Sequence, residues 1–533
     1  MNNILEINGL TLKIKDKTLL KSVTFEIKKG EIFALVGESG SGKSLTSLAI
    51  MRLLPNSIKI TQGDIMLQGN SLLKLAEYKM QTLRGKSIAM IFQEPMTALN
   101  PVLTIGEQVA EVLRVHLKLK EEDIKKRVVS LFNEVGIINA KERYSWYPHQ
   151  LSGGQKQRVV IAMALACEPN LLIADEPTTA LDVTIQAQVL ALLKRIQKRR
   201  GVSILFITHD MGVVATMADR VAVMKDGKIV EQNRIAEFFS NPKHQYTRQL
   251  LKNVQIDNKK SSIKKSKKIL EIKDLKVYFP IKKGIFQRIT DYTKAVDGVS
   301  LSIEDGKTLA LVGESGSGKS TIGNAILRLL DITDGSIVFN GTEISKLSQK
   351  ELLPFRKKIQ IVFQDPYSAL NPRMSVGEII REGMVSLNVG GNKSMQNRAI
   401  EELLVKVGLK KEHIHRYPHE FSGGQRQRIG IARALAVKPK LIICDEPTSA
   451  LDVSVRSQVI KLLKKLQIED GLSYLFITHD LSIVPMIADS TAVMRYGKII
   501  EYGLVDEVMQ NPKHEYTKQL LNSAPKLPTI DII

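Results

Sequence analysis

The sequence predicts two consecutive α/β domains, each built around a mostly parallel β-sheet. Three observations support this fold class. Two halves of the chain resemble each other, each half places a glycine-rich loop between an apolar run and an amphipathic segment, and further apolar runs end at polar residues. Strands buried in parallel sheets have this apolar character, and their carboxyl ends deliver side chains to a shared site.

The repeat covers most of the 533 residues. Asp175 and His209 return as Asp445 and His479, each 270 positions later. Both copies also end on the pattern Asn-Pro-Lys-His-x-Tyr-Thr-x-Gln-Leu-Leu. Self-similarity over this length indicates duplicated domains rather than a solenoid of short repeats.

The repeat places one domain at residues 1–251 and a second at 269–533. Between them, residues 252–268 contain seven Lys and a single acidic residue, Asp257. This composition is typical of a solvated, self-repelling linker, and a lipid- or RNA-binding role is the alternative interpretation.

Within the first copy, the pattern predicts a strand, a loop and a helix in that order. The apolar run from Glu31 to Val36 predicts the strand, and the glycine loop follows it. Two further apolar runs, at 171–174 and 204–208, predict buried strands. The residues that recur at helical spacing after the loop are Leu45, Leu48, Ala49 and Leu53.

The glycine loops match the full phosphate-binding pattern Gly-x-x-x-x-Gly-Lys-Ser in both copies. In such a loop, backbone N–H groups cradle phosphate at a helix N-terminus, the lysine reaches the β- and γ-phosphates, and the serine hydroxyl contacts Mg²⁺. The sequence therefore predicts ATP and Mg²⁺ as ligands. The residues expected to bind ATP are Gly37, Glu38, Ser39, Gly40, Ser41, Gly42, Lys43, Ser44 and Leu45, and Gly313, Glu314, Ser315, Gly316, Ser317, Gly318, Lys319, Ser320 and Thr321.

An acidic pair follows an apolar run in each copy. Asp175 and Asp445 end these runs, where a carboxylate can hold hydrated Mg²⁺. The adjacent Glu176 and Glu446 are candidates for polarising the water that attacks the γ-phosphate. Acidic pairs at strand ends are also common surface features, but the phosphate-binding loops favour the catalytic interpretation.

Two further polar residues per copy are candidates for the same site. His209 and His479 each follow Ile-Thr and precede Asp at a predicted strand end, a place suited to a hydrogen bond with the γ-phosphate. Gln93 and Gln364 each follow a Phe at a predicted strand end and are suited to contacting Mg²⁺ or water.

Taken in order, these motifs resemble the ABC ATPase family over nearly the whole chain. The order is phosphate-binding loop, glutamine, Ser-Gly-Gly-Gln, Asp-Glu, Ala-Leu-Asp and histidine, and it occurs twice. The resemblance implies two tandem P-loop NTPase domains, each with a mostly parallel core sheet, an antiparallel β part and a helical subdomain. The Ala-Leu-Asp segments are residues 180–182 and 450–452.

The family also implies that each ATP is sandwiched between the two halves. Ser152 would cap the ATP held by the second phosphate-binding loop, and Ser422 the ATP held by the first. By the same resemblance, residues 87–106 around Gln93 would form the groove that receives the coupling helix of a membrane subunit. The signature residues expected to contact ATP are Ser152, Gly153, Gly154 and Gln155, and Ser422, Gly423, Gly424 and Gln425.

Further motifs resemble the peptide and nickel importer class of bacterial ABC ATPases. They are Phe-Gln-Asp-Pro-Tyr-Ser-Ala-Leu-Asn-Pro at 363–372, Tyr-Pro-His before each signature, and the shared ending. This class implies an ATPase held peripherally at the cytoplasmic face of the membrane by two permease subunits, with an extracytoplasmic substrate-binding protein as a further partner. Di- or oligopeptides are the expected cargo and chelated nickel is the alternative, and no nucleic-acid partner is expected.

In this family an aromatic residue some two dozen positions before the loop stacks on adenine. The second copy offers Tyr278 and Phe279, displaced upstream by the stretch 281–292, while Ile14 holds that position in the first copy. Tyr278 is therefore expected to contact ATP, and packing in a strand is the alternative.

Two differences stand out, one between this sequence and the family and one between the two copies. Many relatives carry a cysteine-rich tail that can hold an iron–sulfur cluster, but no Cys follows the shared ending here, so no cluster is predicted. Met163 stands where the second copy has Arg433.

The net charge of +22 permits contact with nucleic acid, ribosomes or anionic membranes and selects none of them. A soluble tandem ATPase acting on ribosomes, the ABC-F type, would explain this charge. That type joins its halves by a long helical linker and has Asn-His-Leu-Asp after Glu-Pro-Thr, whereas this chain has Thr-Ala-Leu-Asp and Ser-Ala-Leu-Asp. Exporter and DNA-repair ATPases are further alternatives.

Apolar runs are too short for a spanning helix, which needs about 18 residues. The run at 431–437, for example, is interrupted by Arg433. Residues 1–6 lack a secretory signal pattern, so a cytoplasmic location is expected. Cys167 and Cys444 lie in apolar stretches and are expected to be small buried residues.

Overall fold

The computed structural model describes residues 3–93, 98–179, 181–252, 267–283, 288–449 and 451–524. These residues form two compact units, one drawn mainly from each half of the sequence. Each unit contains a four-stranded sheet, a six-stranded sheet and helices. The predicted α/β fold class is confirmed for both copies.

The first unit has a small antiparallel sheet and a larger, mostly parallel one. Its strands are β1 (Asn3–Ile14), β2 (Lys17–Lys28), β3 (Ile32–Val36), β4 (Ile58–Leu67), β5 (Asn70–Ser71), β6 (Ile88–Ile91), β7 (Leu171–Asp175), β8 (Ser203–Thr208), β9 (Arg220–Lys225) and β10 (Lys228–Arg234). The antiparallel sheet has the order β2-β1-β4-β5, and the larger sheet has the order β10-β9-β3-β8-β7-β6. In the larger sheet the β10–β9 pair is antiparallel, and the other pairs are parallel.

Helices of the first unit follow the strands along the chain. They are α1 (Lys43–Ile50), α2 (Glu77–Leu83), α3 (Ile105–His116), α4 (Glu121–Glu134), α5 (Ala140–Arg143), α6 (Gly153–Leu165), α7 (Val183–Arg200), α8 (Met211–Met217), α9 (Ile235–Ser240) and α10 (Gln245–Lys252). A short 3₁₀ turn, Pro148–Gln150, precedes α6.

The second unit repeats this architecture. Its strands are β11 (Lys268–Lys283), β12 (Arg288–Glu304), β13 (Thr308–Val312), β14 (Asp334–Phe339), β15 (Thr342–Glu343), β16 (Ile359–Val362), β17 (Leu441–Asp445), β18 (Ser473–Thr478), β19 (Ser490–Arg495) and β20 (Lys498–Leu504). The sheet orders are β12-β11-β14-β15 and β16-β17-β18-β13-β19-β20. Its helices are α11 (Lys319–Ile326), α12 (Gln349–Lys358), α13 (Val376–Ser386), α14 (Lys393–Lys406), α15 (Gly423–Leu435), α16 (Val453–Asp470), α17 (Val484–Ile487), α18 (Val505–Gln510) and α19 (Glu515–Ser523), with 3₁₀ turns at Lys411–His415, Pro418–Glu420 and Leu481–Ile483.

Strand β8 shows why the central strands are apolar on both faces. Ile204 and Phe206 pack into a cluster with the helices, while Leu205 and Ile207 pack into a cluster with the antiparallel sheet. Successive side chains of a strand point to opposite faces, so a strand covered on both faces must be apolar throughout. Burial on both faces therefore holds the strand in place. The polar residues that follow it lie at its carboxyl end.

Several local predictions need correction. Helix α1 ends at Ile50, because Arg52 adopts a left-handed backbone with φ of 52°, so Leu53 lies beyond the helix and is 42% exposed. Cys444 is fully buried as predicted, but Cys167 is only half-buried. The predicted linker lies largely at 253–266, outside the described residues, and its end residues Lys252 and Lys268 belong to α10 and β11.

The stretch at 281–292 lengthens a hairpin of the second unit. Strands β11 and β12 continue into it as a pair, with Lys282 opposite Ile289, and residues 284–287 lie outside the described part. Of the helices in the described part of the chain, none combines the length and apolar character that a bilayer span requires.

Candidate nucleotide-binding sites

Each phosphate-binding loop connects a central strand to a helix. In the first unit the loop joins β3 to α1, and the ammonium group of Lys43 donates to the carbonyl oxygens of Gly37 at 2.8 Å and Glu38 at 2.9 Å. The second loop joins β13 to α11, and Lys319 donates to the corresponding carbonyls of Gly313 and Glu314, both at 2.8 Å. Both lysines are therefore held within their own loops, at the N-terminus of a helix.

The last glycine of each loop has a left-handed backbone that favours glycine, and in the second unit close packing requires it as well. Gly42 has φ of 108°, and a Cβ atom there would lie 2.4 Å from a side-chain carbon of Leu20. Gly318 has φ of 106°, and a Cβ atom there would lie 2.1 Å from the carbonyl oxygen of Ala295. A side chain at either position would strain the loop backbone, and at Gly318 it would also clash with the backbone of β12.

The serine after each lysine contacts the predicted magnesium carboxylate. The Ser44 hydroxyl donates to Asp175 at 3.2 Å, and the Ser320 hydroxyl donates to Asp445 at 3.0 Å. In the first unit Ser47 also donates to Asp175, at 3.3 Å. Burial raises the pKa of both aspartates above the ordinary value, because it disfavours their charged forms.

Glu176 lies at the centre of a polar cluster. Its carboxylate accepts hydrogen bonds from Gln93 and Thr179, both at 3.0 Å, and lies 3.1 Å from Nδ1 of His209. Burial on its own would raise the pKa of Glu176, but the contacts with His209, Thr179 and Lys43 lower it to about 2. The carboxylate is therefore charged at neutral pH.

The second unit brings the equivalent residues together. The Glu446 carboxylate accepts a hydrogen bond from Gln364 at 2.7 Å and lies 3.1 Å from Nδ1 of His479. Burial would raise the pKa of Glu446, but His479 and Lys319 lower it. Burial lowers the pKa of His479, and Glu446 more than offsets this, so that the pKa is raised. Here Ser449, the counterpart of Thr179, donates to the backbone carbonyl of Glu446 instead of the carboxylate.

The backbone of the two glutamates is unusual. Glu176 has φ of 47° and Glu446 has φ of 44°, both in the left-handed region that few non-glycine residues adopt. Each follows directly on a strand, and its N–H donates to the neighbouring strand, at Ile207 and Ile477 respectively. This turn directs the carboxylate into the polar cluster.

Each signature segment begins a helix with a capping box. The Ser152 hydroxyl accepts the N–H of Gln155, whose side-chain oxygen accepts the N–H of Ser152. A Cβ atom on Gly154 would lie 2.5 Å from Ile185, so the helix packs too closely for any side chain there. In the second unit the same box joins Ser422 and Gln425, and Gly424 faces Val455 in the same way.

Tyr278 lies on β11, where its hydroxyl donates to Asp297 at 2.5 Å and the ammonium group of Lys294 lies 5.4 Å from the ring centroid. The ring is half-buried, and the neighbouring Phe279 is 41% exposed. The interaction of Tyr278 with adenine stays a prediction.

Some residues of the predicted motifs lie outside the described part of the chain. They are Ala180 and Ala450, and residues 94–97 of the predicted coupling groove.

The structure shows what Arg433 contacts at the position that Met163 occupies in the first copy. Arg433 donates to the carbonyl oxygen of Ala369 at 2.7 Å, and its guanidinium lies 5.7 Å from the ring centroid of Phe363. Arg426 of the same helix lies 3.8 Å from the ring centroid of Tyr367. Two arginines of the second signature helix therefore hold the segment around Gln364, at residues 363–369.

Sequence reasoning did not single out Ser47, Thr179 or Arg426 as parts of these clusters. Ser47 and Thr179 lie three residues after Ser44 and Glu176. In a helix or a turn, a residue three positions later lies beside the first one. This spacing is the signal that could have identified the hydroxyls of Ser47 and Thr179.

Comparison with known proteins places both halves in one family. Residues 20–179 and 296–449 match the ABC transporter family. Residues 230–275 and 500–531 match the oligopeptide/dipeptide transporter C-terminal region.

Individual relatives match along almost the full chain. The peptidoglycan transport ATP-binding protein YejF of Agrobacterium fabrum is 48% identical, over 96% of this chain and 93% of its own length. The glutathione import ATP-binding protein GsiA of Escherichia coli is 46% identical, over 98% of this chain and 90% of its own length. Among solved structures, cbiO1 from Clostridium perfringens is 32% identical over 46% of this chain and 91% of that chain, with a TM-score of 0.41.

Proposed function

Because the chain belongs to the ABC transporter family of ATP-hydrolysing proteins, we propose that it is the ATPase subunit of a bacterial importer for di- or oligopeptides. The observation that carries this proposal is the oligopeptide/dipeptide transporter C-terminal region, which occurs in both halves. The names of the relatives support the same class of cargo, since one is a peptidoglycan transport protein and another imports glutathione, a peptide. A nickel or metallophore cargo is the second candidate.

We propose that each phosphate-binding loop holds one ATP. Backbone N–H groups of the loop would bind the phosphates at the N-terminus of the following helix. Lys43 and Lys319, which lie beside these groups, would contact the β- and γ-phosphates.

The donor sets of both units fit Mg²⁺, which prefers hard oxygen ligands. The hydroxyl and carboxylate oxygens of Ser44 and Asp175 lie 3.2 Å apart, and those of Ser320 and Asp445 lie 3.0 Å apart. These residues, together with Gln93 and Gln364, are the proposed ligands or contacts of the ion. When bound, the ion would neutralise charge on the phosphates.

Glu176 and Glu446 are the proposed residues that polarise the attacking water. A charged carboxylate can accept a proton from water, and Glu176 is charged at neutral pH because its pKa is about 2. His209 and His479 lie against these carboxylates and would orient them while facing the γ-phosphate. The glutamine side chains hold the second carboxylate oxygen.

We infer from the family that each ATP is completed by the signature segment of the other half. Ser152 and Ser422, at the N-termini of their helices, would present N–H groups to the γ-phosphate. ATP binding would then favour a closed arrangement, and hydrolysis would release it. This cycle would drive two membrane permeases that receive cargo from a substrate-binding protein, with the ATPase at the cytoplasmic face.

The proposal is tested by uptake into proteoliposomes that contain the chain, a candidate pair of permeases and a binding protein. We expect ATP-dependent accumulation of a labelled oligopeptide, and none with the Glu176→Gln/Glu446→Gln variant. Accumulation of a nickel chelate instead of peptide would favour the second candidate. Uptake without permeases, or ATPase stimulation by ribosomes instead of permeases, would contradict the proposal.

A further inference from the structure

The ending shared by both copies contains a tyrosine whose role the ATPase chemistry above does not explain. Tyr246 lies on α10 and Tyr516 on α19, and they are 5% and 3% exposed. The hydroxyl of Tyr246 accepts a hydrogen bond from the backbone N–H of Glu38, and that of Tyr516 from the N–H of Glu314, both at 3.3 Å. The same contact therefore joins the C-terminal helix to the phosphate-binding loop in both units.

The peptide group held by each tyrosine also holds the lysine of the loop. In the first unit, the N–H of Glu38 and the carbonyl of Gly37 belong to one peptide group, and that carbonyl accepts Lys43 at 2.8 Å. A trans peptide is planar and directs its N–H and C=O in opposite directions. Tyr246 and Lys43 therefore fix opposite edges of one peptide group. Tyr516 and Lys319 do the same at the group formed by Gly313 and Glu314.

An acidic anchor, buried in the first unit and half-buried in the second, positions the tyrosine. In the first unit the Glu231 carboxylate accepts the backbone N–H groups of Lys243 and His244, both at 2.9 Å, and Nδ1 of His244 accepts the N–H of Tyr246 at 3.1 Å. The equivalent contacts in the second unit are Glu501 with the N–H groups of Lys513 at 2.7 Å and His514 at 3.2 Å, and His514 Nδ1 with the N–H of Tyr516 at 3.0 Å.

The surroundings of each ring hold the hydroxyl in place, and in the second unit they also keep it protonated. The ammonium group of Lys225 lies 4.5 Å from the ring centroid of Tyr246, and the guanidinium of Arg495 lies 4.4 Å from that of Tyr516. Burial raises the pKa of Tyr516 to about 12. The anchor and the cation–ring contact together keep the hydroxyl against the phosphate-binding loop.

We propose that Tyr246 and Tyr516 are positioning residues that orient the peptide group behind the phosphate-binding lysine and thereby set the affinity of each loop for ATP. The inference rests on the proposed role of the loops in ATP binding. It assigns a function to the oligopeptide/dipeptide transporter C-terminal region, which contains both tyrosines and both acidic anchors. Through this contact, displacement of the C-terminal helix would weaken ATP binding at the loop.

The test compares Tyr246→Phe/Tyr516→Phe with the wild-type full chain. Phenylalanine keeps the ring and removes only the hydroxyl. We expect the Kd for a fluorescent ATP analogue with Mg²⁺, and the KM for ATP, to rise about fivefold, because one buried hydrogen bond is lost. The kcat at saturating ATP should stay within about twofold, since the hydrolytic residues are untouched. Glu231→Gln/Glu501→Gln should raise Kd in the same direction, because the anchor loses an acceptor.

The control variant is Tyr78→Phe, which changes a tyrosine that is 65% exposed and should leave Kd and KM unchanged. An unchanged Kd in the double Tyr→Phe variant, with or without a lower melting temperature, would overturn the inference and leave the proposed function standing. Failure of the wild-type chain to bind the analogue would overturn both. If the double variant does not fold, the same measurements are made on Tyr246→Phe and Tyr516→Phe separately. Each of these single variants leaves the other copy intact.

Discussion

Replacing Glu176 and Glu446 by glutamine tests the proposed hydrolytic residues with almost no change of shape. The amide cannot accept a proton from water, so turnover should fall by at least about 100-fold, the lower end of what a general base contributes. The phosphate-binding loops are unaltered, so ATP should still bind. The double variant should therefore retain nucleotide without hydrolysing it.

The structure also predicts what the change costs in stability. The contacts that lower the pKa of Glu176 from 4.5 to about 2 favour its charged form by about 3 kcal/mol. Because the folded-state pKa is depressed, this contribution is present above about pH 4.5 and is lost as the pH falls toward 2. Glutamine retains one acceptor oxygen and presents an NH₂ group to donors, so at neutral pH Glu176→Gln should cost about 1–3 kcal/mol. Glu446→Gln should cost less, because the Ser449 hydroxyl does not contact that carboxylate.

The assays are ATPase activity, equilibrium binding of an ATP analogue and the melting temperature without nucleotide, each measured near pH 7.5. Glu122→Gln, at an exposed position, is the control and should behave as wild type. Turnover of the double variant near the wild-type value would refute the assignment of both glutamates. A larger fall in melting temperature for Glu446→Gln than for Glu176→Gln would refute the reasoning from the hydrogen bonds.

Three further outcomes are expected. If each ATP is shared between halves, Lys43→Ala combined with Ser422→Ala should cost little more activity than either change alone. Lys43→Ala combined with Ser152→Ala should cost far more, because it damages both sites. Equal activities of the two double variants would reject this arrangement. With the first loop disabled by Lys43→Ala, Tyr278→Ala should weaken ATP binding at the second loop by about 1–3 kcal/mol, and unchanged affinity would show that the ring only packs in its strand. Arg433→Met, which introduces the residue of the first copy, should speed hydrogen exchange of the backbone amides at 363–370, and unchanged exchange would show that Arg433 does not hold this segment in place.

Much of the architecture could be predicted from sequence because its causes are local. Uniformly apolar runs identify central strands such as β8, whose two faces are both covered. The phosphate-binding loop combines glycines, lysine and serine at fixed spacing, so its place between strand and helix follows from the pattern. The order of motifs then placed Glu176, Gln93 and His209 in one region, and the structure brings these three together.

Other features depend on contacts that sequence spacing does not encode. The bond between Tyr246 and Glu38 joins residues 208 positions apart, so it required the fold. Helix α1 ends earlier than its apolar pattern indicated, because a left-handed residue at Arg52 stops it. Cys167 is less buried than its apolar neighbours suggested, since it follows the end of α6 and only packs against a core cluster, while Cys444 lies inside β17.

The left-handed backbone of Glu176 and Glu446 has a consequence for how such a duplicated protein can evolve. At this φ, asparagine, aspartate and glycine are the residues that the backbone accepts most readily. Asparagine and glycine have no carboxylate, and the carboxylate of aspartate is one methylene too short to reach the position that the glutamate carboxylate occupies. Because these glutamates are the proposed hydrolytic residues, a single mutation of this kind would silence one half as a hydrolase, and relief of the left-handed backbone would offset part of the stability lost with the carboxylate contacts. The two positions are thus natural points at which one copy can become a site that only binds nucleotide while the other keeps the chemistry.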